Sequence, residues 1–199
     1  MKLMQPESAN VATQKSEQRR HFSSARKAMT EQQRESANAA ILEHLDHLLR
    51  STQAQRVAAY VPDAVEPGGK DLVPFLASRC QQLWLPCCLP KGVLQWGQYQ
   101  GDSTLLPGRY NIPEPPQPHH PSAILEDLDL IIVPALAASA QGIRLGKGAG
   151  FYDRALAGIT TASALLLFGH EYPVDIATEA HDAGCDWTIT PDKLWPNEC

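Results

Sequence analysis

A single α/β domain on a mostly parallel sheet is the fold class this sequence predicts, and three observations predict it. Apolar runs of strand length recur at residues 56–61 (RVAAYV), 82–89 (QLWLPCCL), 128–134 (LDLIIVP), 163–168 (SALLLF) and 187–190 (WTIT). They are continuous rather than alternating, as strands buried on both faces tend to be. Helix-compatible segments separate several of them, and a glycine-rich stretch follows the most apolar one.

Taken in order, residues 1–14 are polar with an early proline and read as a flexible tail, leaving 15–199 as one domain. From Lys15, apolar Phe22, Ala25 and Met29 recur at helical spacing among basic residues. Thr30 with Gln33 forms a capping-box pattern that starts a second helix, with Ala37, Ile41, Leu45 and Leu48 on its apolar face. The strand at 56–61 stops at Pro62, and a Pro-Gly loop containing Glu66 follows. Residues 71–79 read as a helix with Pro74 near its first turn, where proline is tolerated. Residues 93–99 read as a strand or hairpin arm, and the proline-rich 111–121 as an extended loop. A helix-compatible run covers 152–158. No internal repeat or linker divides the chain.

At 199 residues the chain is long enough for one sizeable core. With 43% hydrophobic and 20% charged residues it has the composition of a soluble globular protein. A net charge of −5 argues against non-specific nucleic-acid binding, which needs a basic face, but leaves room for a local anion site. The five cysteines form no CxxC, so inert thiols in a reducing compartment are expected. The polar N-terminus lacks an apolar signal core, and no run approaches the ~18 apolar residues of a membrane span. A cytoplasmic monomer is expected.

The chemistry concentrates in residues 142–156, GIRLGKGAGFYDRAL. Gly146, Gly148 and Gly150 are interleaved with Arg144 and Lys147, and Asp153 follows. A glycine loop between a strand and a helix lets backbone N–H groups approach an anion closely. The two cations add full charge, and Asp153 could hold a divalent cation shared with phosphates. The spacing is neither GxxxxGK[ST] nor GxGxxG. A glycine-rich surface turn with solvated charges is the alternative that spacing leaves open.

This stretch closely resembles the signature G-x-R-L-G-x-G-x-G-[YF]-Y-D of the 5-formyltetrahydrofolate cyclo-ligase family, and the resemblance extends over about residues 15–195. Lys15 and Arg19 match the basic positions of the family's K-x-x-L-R helix, with Gln18 replacing its leucine. Ile112-Pro113-Glu114-Pro115 resembles an I-x-E-P segment, His181-Asp182 an H-D pair, and Thr188–Pro191 a [VI]-x-T-P element. Ala138-Ser139 stand where the family commonly has Phe-Asp.

The resemblance implies a three-layer α/β/α fold and ATP-dependent cyclisation of 5-formyltetrahydrofolate, with or without extra tail glutamates. It implies an ATP site of Lys15, Arg19, Arg144, Leu145 and the stretch Gly146, Lys147, Gly148, Ala149, Gly150, Phe151 and Tyr152. Arg144 and Lys147 would act in catalysis. Val61, Glu66 and Trp96, with Lys147 through Phe151, would contact the folate. Asp153 and Asp182 would hold Mg²⁺. A non-catalytic folate- or nucleotide-binding homologue, or a sugar-phosphate-binding protein, is the alternative, favoured by Ser139 and Gln18 and disfavoured by the intact loop.

Overall fold

The computed structural model describes residues 6–177 and 184–197. Helix α1 (Pro6–Ala28) begins inside the segment that composition reads as a tail. Pro6 heads it, a position where a missing N–H removes no helical hydrogen bond. Helix α2 (Glu31–Thr52) opens on the expected capping box, with the Thr30 side chain accepting from the Gln33 N–H and the Gln33 side chain accepting from the Thr30 N–H. Strand β1 (Arg56–Ala58) and helix α3 (Leu72–Arg79) follow, then the hairpin of β2 (Gln82–Leu89) and β3 (Val93–Gln98). The proline-rich region carries short strands β4 (Leu106–Pro107), β5 (Pro113–Glu114) and β6 (His119–Pro121). Next come β7 (Leu130–Val133), β8 (Ala137–Ala138), β9 (Arg144–Leu145), α4 (Phe151–Ala155), β10 (Ser163–Leu166), β11 (Trp187–Ile189) and β12 (Leu194–Pro196).

Side-chain alternation along the central strands sorts the core into two halves. Val57, Leu83, Leu85, Leu130, Ile132, Ala164 and Leu166 face one side, where α2 and α3 cover them with Ile41, Leu45, Leu72 and Leu76. Ala58, Trp84, Ile131, Val133 and Leu165 face the other, against Ala155 of α4 and Leu125 of a short 3₁₀ turn. The result is the three-layer α/β/α arrangement.

The sheet has eight strands in the order β12-β11-β10-β7-β1-β2-β3-β6. The run β11-β10-β7-β1-β2 is parallel, and β12, β3 and β6 add antiparallel edges. The β2–β3 link is only Pro90–Gly92, too short for a crossover, so these strands must form a hairpin. In chain order the parallel strands lie second, first, third, fourth, fifth. The direction of winding therefore reverses between β1 and β7. A crevice opens there beyond the strands' C-terminal ends, where doubly wound sheets bind ligands.

Between β7 and α4 the chain does not run straight into the glycine loop. It first folds into the hairpin β8–β9, pairing Ala137 with Leu145 and Ala138 with Arg144. Phe22 of α1 packs on this hairpin with Leu136, Leu145 and Ile176. The hairpin carries the glycine loop out to the mouth of the crevice.

Candidate active site

A cavity of about 400 Å³ occupies the reversal point. Tyr60, Val61, Asp63 and Glu66 enter it from the loop after β1, and Pro134 and Ala135 from the end of β7. Pro86, Cys88, Leu94, Tyr110 and Ile112 make an apolar wall on the β2–β3 side. Arg144 and residues 146–153 close the remaining side. A larger, more open groove of about 1010 Å³ runs along α2, lined by both signs of charge, but contains none of the sequence-predicted site residues.

Local chemistry explains the shape of the glycine loop. The β8–β9 turn is closed by Ser139, whose hydroxyl accepts from the Gln141 and Ile143 N–H groups while its carbonyl accepts from the Gly142 N–H. A carboxylate there would accept the same bonds, so serine retains this turn function. Gly142 has φ +73°, and a Cβ on it would lie 2.4 Å from the Cys185 carbonyl oxygen. Gly148 has φ +94°, the left-handed backbone that favours glycine. Two arginines grip the loop: Arg19 Nε donates to the Gly146 carbonyl at 2.9 Å, and Arg154 Nη2 to the Ala149 carbonyl at 2.7 Å. Arg154 Nε also reaches the Gly92 carbonyl at 2.9 Å, tying the loop to the β2–β3 turn.

The loop's two cations are paired with carboxylates. Arg144 Nη2 donates to Asp153 Oδ1. Lys147 Nζ lies 2.9 Å from Asp63 Oδ2 and 2.7 Å from Glu66 Oε1. Glu66 Oε2 accepts the Asp63 N–H at 2.9 Å, and Asp63 Oδ1 accepts the Val65 N–H, so this loop is braced before it meets Lys147. Burial works to lower the Lys147 pKa, but Glu66 and Asp63 outweigh it and hold the ammonium above its ordinary value. Burial likewise works to raise Asp63, and Lys147 with the Val65 N–H pulls it below the usual range.

The structure brings most of the sequence-predicted residues together, but not all. Val61, Glu66, Arg144, Phe151, Tyr152, Asp153 and the loop from Gly146 to Gly150 line the cavity. Arg19 holds the loop from outside. Lys15 is buried on α1 and is not in the cavity wall. The Leu145 side chain is 1% exposed in the core under α1, leaving only its backbone for a ligand. Trp96 does not line the cavity either: it is fully buried, donates from Nε1 to Ser122 Oγ at 3.2 Å, and meets the Tyr152 ring edge-on. A central strand position favours this core role over stacking on a ligand. Asp182 lies outside the described residues.

Three residues here lay beyond the sequence reading. Asp63 is one of the Lys147 partners, and Arg154 braces the loop. Arg26 is 1% exposed, grips Glu171 through Nε at 2.7 Å and Nη2 at 2.9 Å, and donates from Nη2 to the Ala135 carbonyl at the cavity wall. Its position one heptad after Arg19, on the same face of α1, is the signal that points to it.

Among the described residues no group of three or more His, Cys, Asp and Glu could hold a metal ion. The exposed Asp153 carboxylate beside the loop still suits Mg²⁺, which takes one or two carboxylates with phosphate oxygens and water. No described helix is long and apolar enough to cross a membrane.

Fold and site together define a class: a doubly wound α/β protein that presents a cationic glycine loop and a half-apolar cavity at its switch point. Comparison with known proteins makes this specific. The 5-formyltetrahydrofolate cyclo-ligase family profile matches residues 11–191, and the chain belongs to that family. The 5-formyltetrahydrofolate cyclo-ligase of Mycolicibacterium smegmatis is 36% identical over 144 residues, 69% of this chain and 74% of its own length. The Haemophilus influenzae protein of the same name is 31% identical over 147 residues, covering 72% and 79%. The solved 5,10-methenyltetrahydrofolate synthetase of Aquifex aeolicus superposes with a TM-score of 0.79 at 24% identity over 92% of both chains, a likeness of fold.

Proposed function

We propose that the protein converts 5-formyltetrahydrofolate to 5,10-methenyltetrahydrofolate, with ATP giving ADP and phosphate. The observation that carries this is the placement of a cationic glycine loop against an apolar cavity, so that a polyphosphate and a flat ring can lie side by side. Family membership supplies the reaction class.

The formamide oxygen of the substrate is a poor leaving group. In this reading it attacks the γ-phosphorus of ATP, and the bond from phosphorus to the ADP oxygen breaks. N10 of the folate then attacks the activated formyl carbon. N10 gives up its proton to the departing phosphate, the carbon–oxygen bond breaks, phosphate leaves with the former formyl oxygen, and the ring closes as the methenyl cation. No covalent nucleophile from the protein is needed. The chain positions the two substrates and neutralises charge that builds on the transferring phosphoryl group.

Arg144 and Lys147, with the loop N–H groups, take the phosphates. Both cations must first exchange an internal carboxylate partner for the nucleotide. Releasing Lys147 also frees Glu66 Oε1 to accept N–H groups from the amino-pyrimidinone edge of the pterin. Arg19 acts by holding the loop in shape, and Lys15 supports the same helix. Asp153, with Asp182, would hold Mg²⁺, which when bound shields the phosphate charge.

Absorbance of the methenyl product, read with phosphate release, tests the proposal. Product should form only when 5-formyltetrahydrofolate, ATP and Mg²⁺ are all present, with about one phosphate per product. Nucleotide binding without turnover would leave a binding protein instead. In Arg144→Ala the KM for ATP should rise about tenfold or more, because a charged hydrogen bond to phosphate is lost. Unchanged kinetics would remove Arg144 from the site.

A further inference from the structure

The proposed reaction makes no use of the buried pair Arg26–Glu171, although Arg26 reaches the cavity wall. Stability alone explains the pair poorly, because apolar residues of similar volume often serve as well as a buried ion pair. Arg26 also keeps a third nitrogen, Nη1, buried without a hydrogen-bond partner, which is a further cost. We propose that Arg26 is a positioning residue: through the Ala135 carbonyl it sets the peptide planes that aim the start of the glycine loop at the nucleotide. This rests on the function proposed above.

A chain of bonds leads from Glu171 to the loop. Glu171 ends the short 3₁₀ turn after β10, and its Oε2 accepts the Phe168 N–H at 2.9 Å. That fixed carboxylate takes Arg26 Nε and Nη2 at 2.7 and 2.9 Å, so the planar guanidinium has one orientation. Nη2 then meets the Ala135 carbonyl at 2.6 Å. A trans peptide carries its C=O and N–H on opposite sides of one plane. Holding the Ala135 carbonyl therefore aims the Leu136 N–H, which donates to the Leu145 carbonyl at 2.7 Å. The same rule, applied to the peptide joining Leu145 to Gly146, turns the Gly146 N–H away from Leu136. Arg19, one heptad earlier on α1, takes the Gly146 carbonyl at 2.9 Å and so turns the Lys147 N–H in the same manner. Gly146 and Lys147 both line the cavity. One face of α1 thus orients the first two N–H groups of the loop.

Lysine could not replace Arg26 in this role. A compact ammonium on a flexible stem lacks the planar fork that ties the direction of Nη2 to the grip on Glu171. No bond of the chain passes through the folate side of the cavity. Glu66 is held by the Asp63 N–H and Lys147, and Pro86 and Leu94 stand on the β2–β3 hairpin. Losing Arg26 should therefore fall on the nucleotide.

The experiment compares the parent with Arg26→Met, with the double variant Arg26→Met, Glu171→Met, and with Arg26→Lys. The double variant removes both charges and leaves net charge unchanged, while Arg26→Lys keeps the charge and removes the fork. Melting temperature, kcat, KM for ATP and the dissociation constant for 5-formyltetrahydrofolate are measured for each. The double variant should melt well above Arg26→Met, yet its kcat/KM for ATP should stay about ten- to a hundredfold below the parent, because a misplaced loop loses its near-attack geometry. Its folate constant should stay within about twofold of the parent. Arg26→Lys should also melt above Arg26→Met and show the same selective loss. Turnover that recovers together with the melting temperature in the double variant would overturn the proposal, and so would parent-like turnover in Arg26→Lys. An equal loss for folate would overturn it too, by showing a general distortion of the site. If the double variant does not fold, Arg26→Lys decides on the same criteria. A parent protein that forms no methenyl product would instead overturn the functional reading beneath it, and that control tells the two failures apart.

Discussion

Arg26 and Glu171 form the most consequential pair at the level of single residues. Both side chains are almost wholly inaccessible, and Arg26 also lies over the Phe168 ring at 5.8 Å. Removing one member strands a buried charge, which typically costs about 3–5 kcal/mol. Arg26→Met should therefore lower the melting temperature by roughly 10 °C for a chain of this size. The double variant Arg26→Met, Glu171→Met should recover much of that loss, because neither charge is left alone. Equal losses in single and double variants would show that packing, not charge, sets the effect.

The pair of Lys147 with Asp63 makes a smaller, pH-dependent contribution. Asp63 titrates below the ordinary aspartate range, so the stability it lends is present above about pH 3.9 and lost as pH falls through its lower folded value. Lys147 titrates above the ordinary lysine range, so its contribution is present below about pH 10.4 and lost as pH rises through its higher folded value. Both groups are half-exposed, which keeps the pair to about 0.5 kcal/mol. Asp63→Asn should melt about 1–2 °C below the parent near pH 6, with the difference fading as pH falls below the ordinary aspartate range. A difference that persisted in acid would assign the effect to the Val65 turn rather than to the ion pair.

The hairpin β8–β9 decides, among the elements, where the glycine loop stands. Its Gly142 can accept no side chain: the backbone is left-handed, and a Cβ would strike both the Cys185 carbonyl and the Asn197 side chain. Gly142→Ala should destabilise the fold by more than about 1 kcal/mol, measured by denaturant midpoint. Gly148→Ala shares the left-handed backbone strain but meets only the flexible Arg19 side chain, at 3.3 Å, so it should cost less stability than Gly142→Ala. It should reduce turnover more than stability.

This hairpin also shows where the sequence stops being legible. Its two-residue strands leave no periodic pattern, and its turn rests on one serine hydroxyl and one left-handed glycine. The long apolar strands and the capping box of α2 were legible because burial on two faces and a side-chain cap each leave a local pattern in the sequence. The loop residues at the cavity were legible because they are contiguous. Asp63, Arg154 and the Arg26–Glu171 pair were not: Arg26 and Glu171 stand 145 positions apart and Lys147 and Asp63 stand 84 apart, so only the folded sheet brings them together. Trp96 misled for a related reason. Trp96 shares a face of β3 with the cavity residue Leu94, but Tyr152 packs edge-on against it and it is wholly buried, so the cavity ends before reaching it.

Strand order ties these pieces to chemistry in the molecule as a whole. Reversal of winding between β1 and β7 opens one crevice, and the β1 loop brings Glu66 and Asp63 to it. The hairpin after β7 delivers Arg144 and Lys147 to the opposite side, and the β2–β3 hairpin supplies the apolar wall. Carboxylates and cations close on each other across the mouth, and two substrates that compete for those same groups would part them. Adding ATP and Mg²⁺ should therefore tighten binding of 5-formyltetrahydrofolate, by a factor equal to that by which the folate tightens ATP.

The most direct measurement follows the formyl oxygen itself. 5-Formyltetrahydrofolate labelled with oxygen-18 in the formyl group is turned over in unlabelled water with ATP and Mg²⁺, and the released phosphate is analysed by mass spectrometry. Transfer of that oxygen to phosphorus requires one labelled atom in each phosphate. Unlabelled phosphate, with the label lost to water, would mean that ATP is hydrolysed separately and that the formyl oxygen is never phosphorylated.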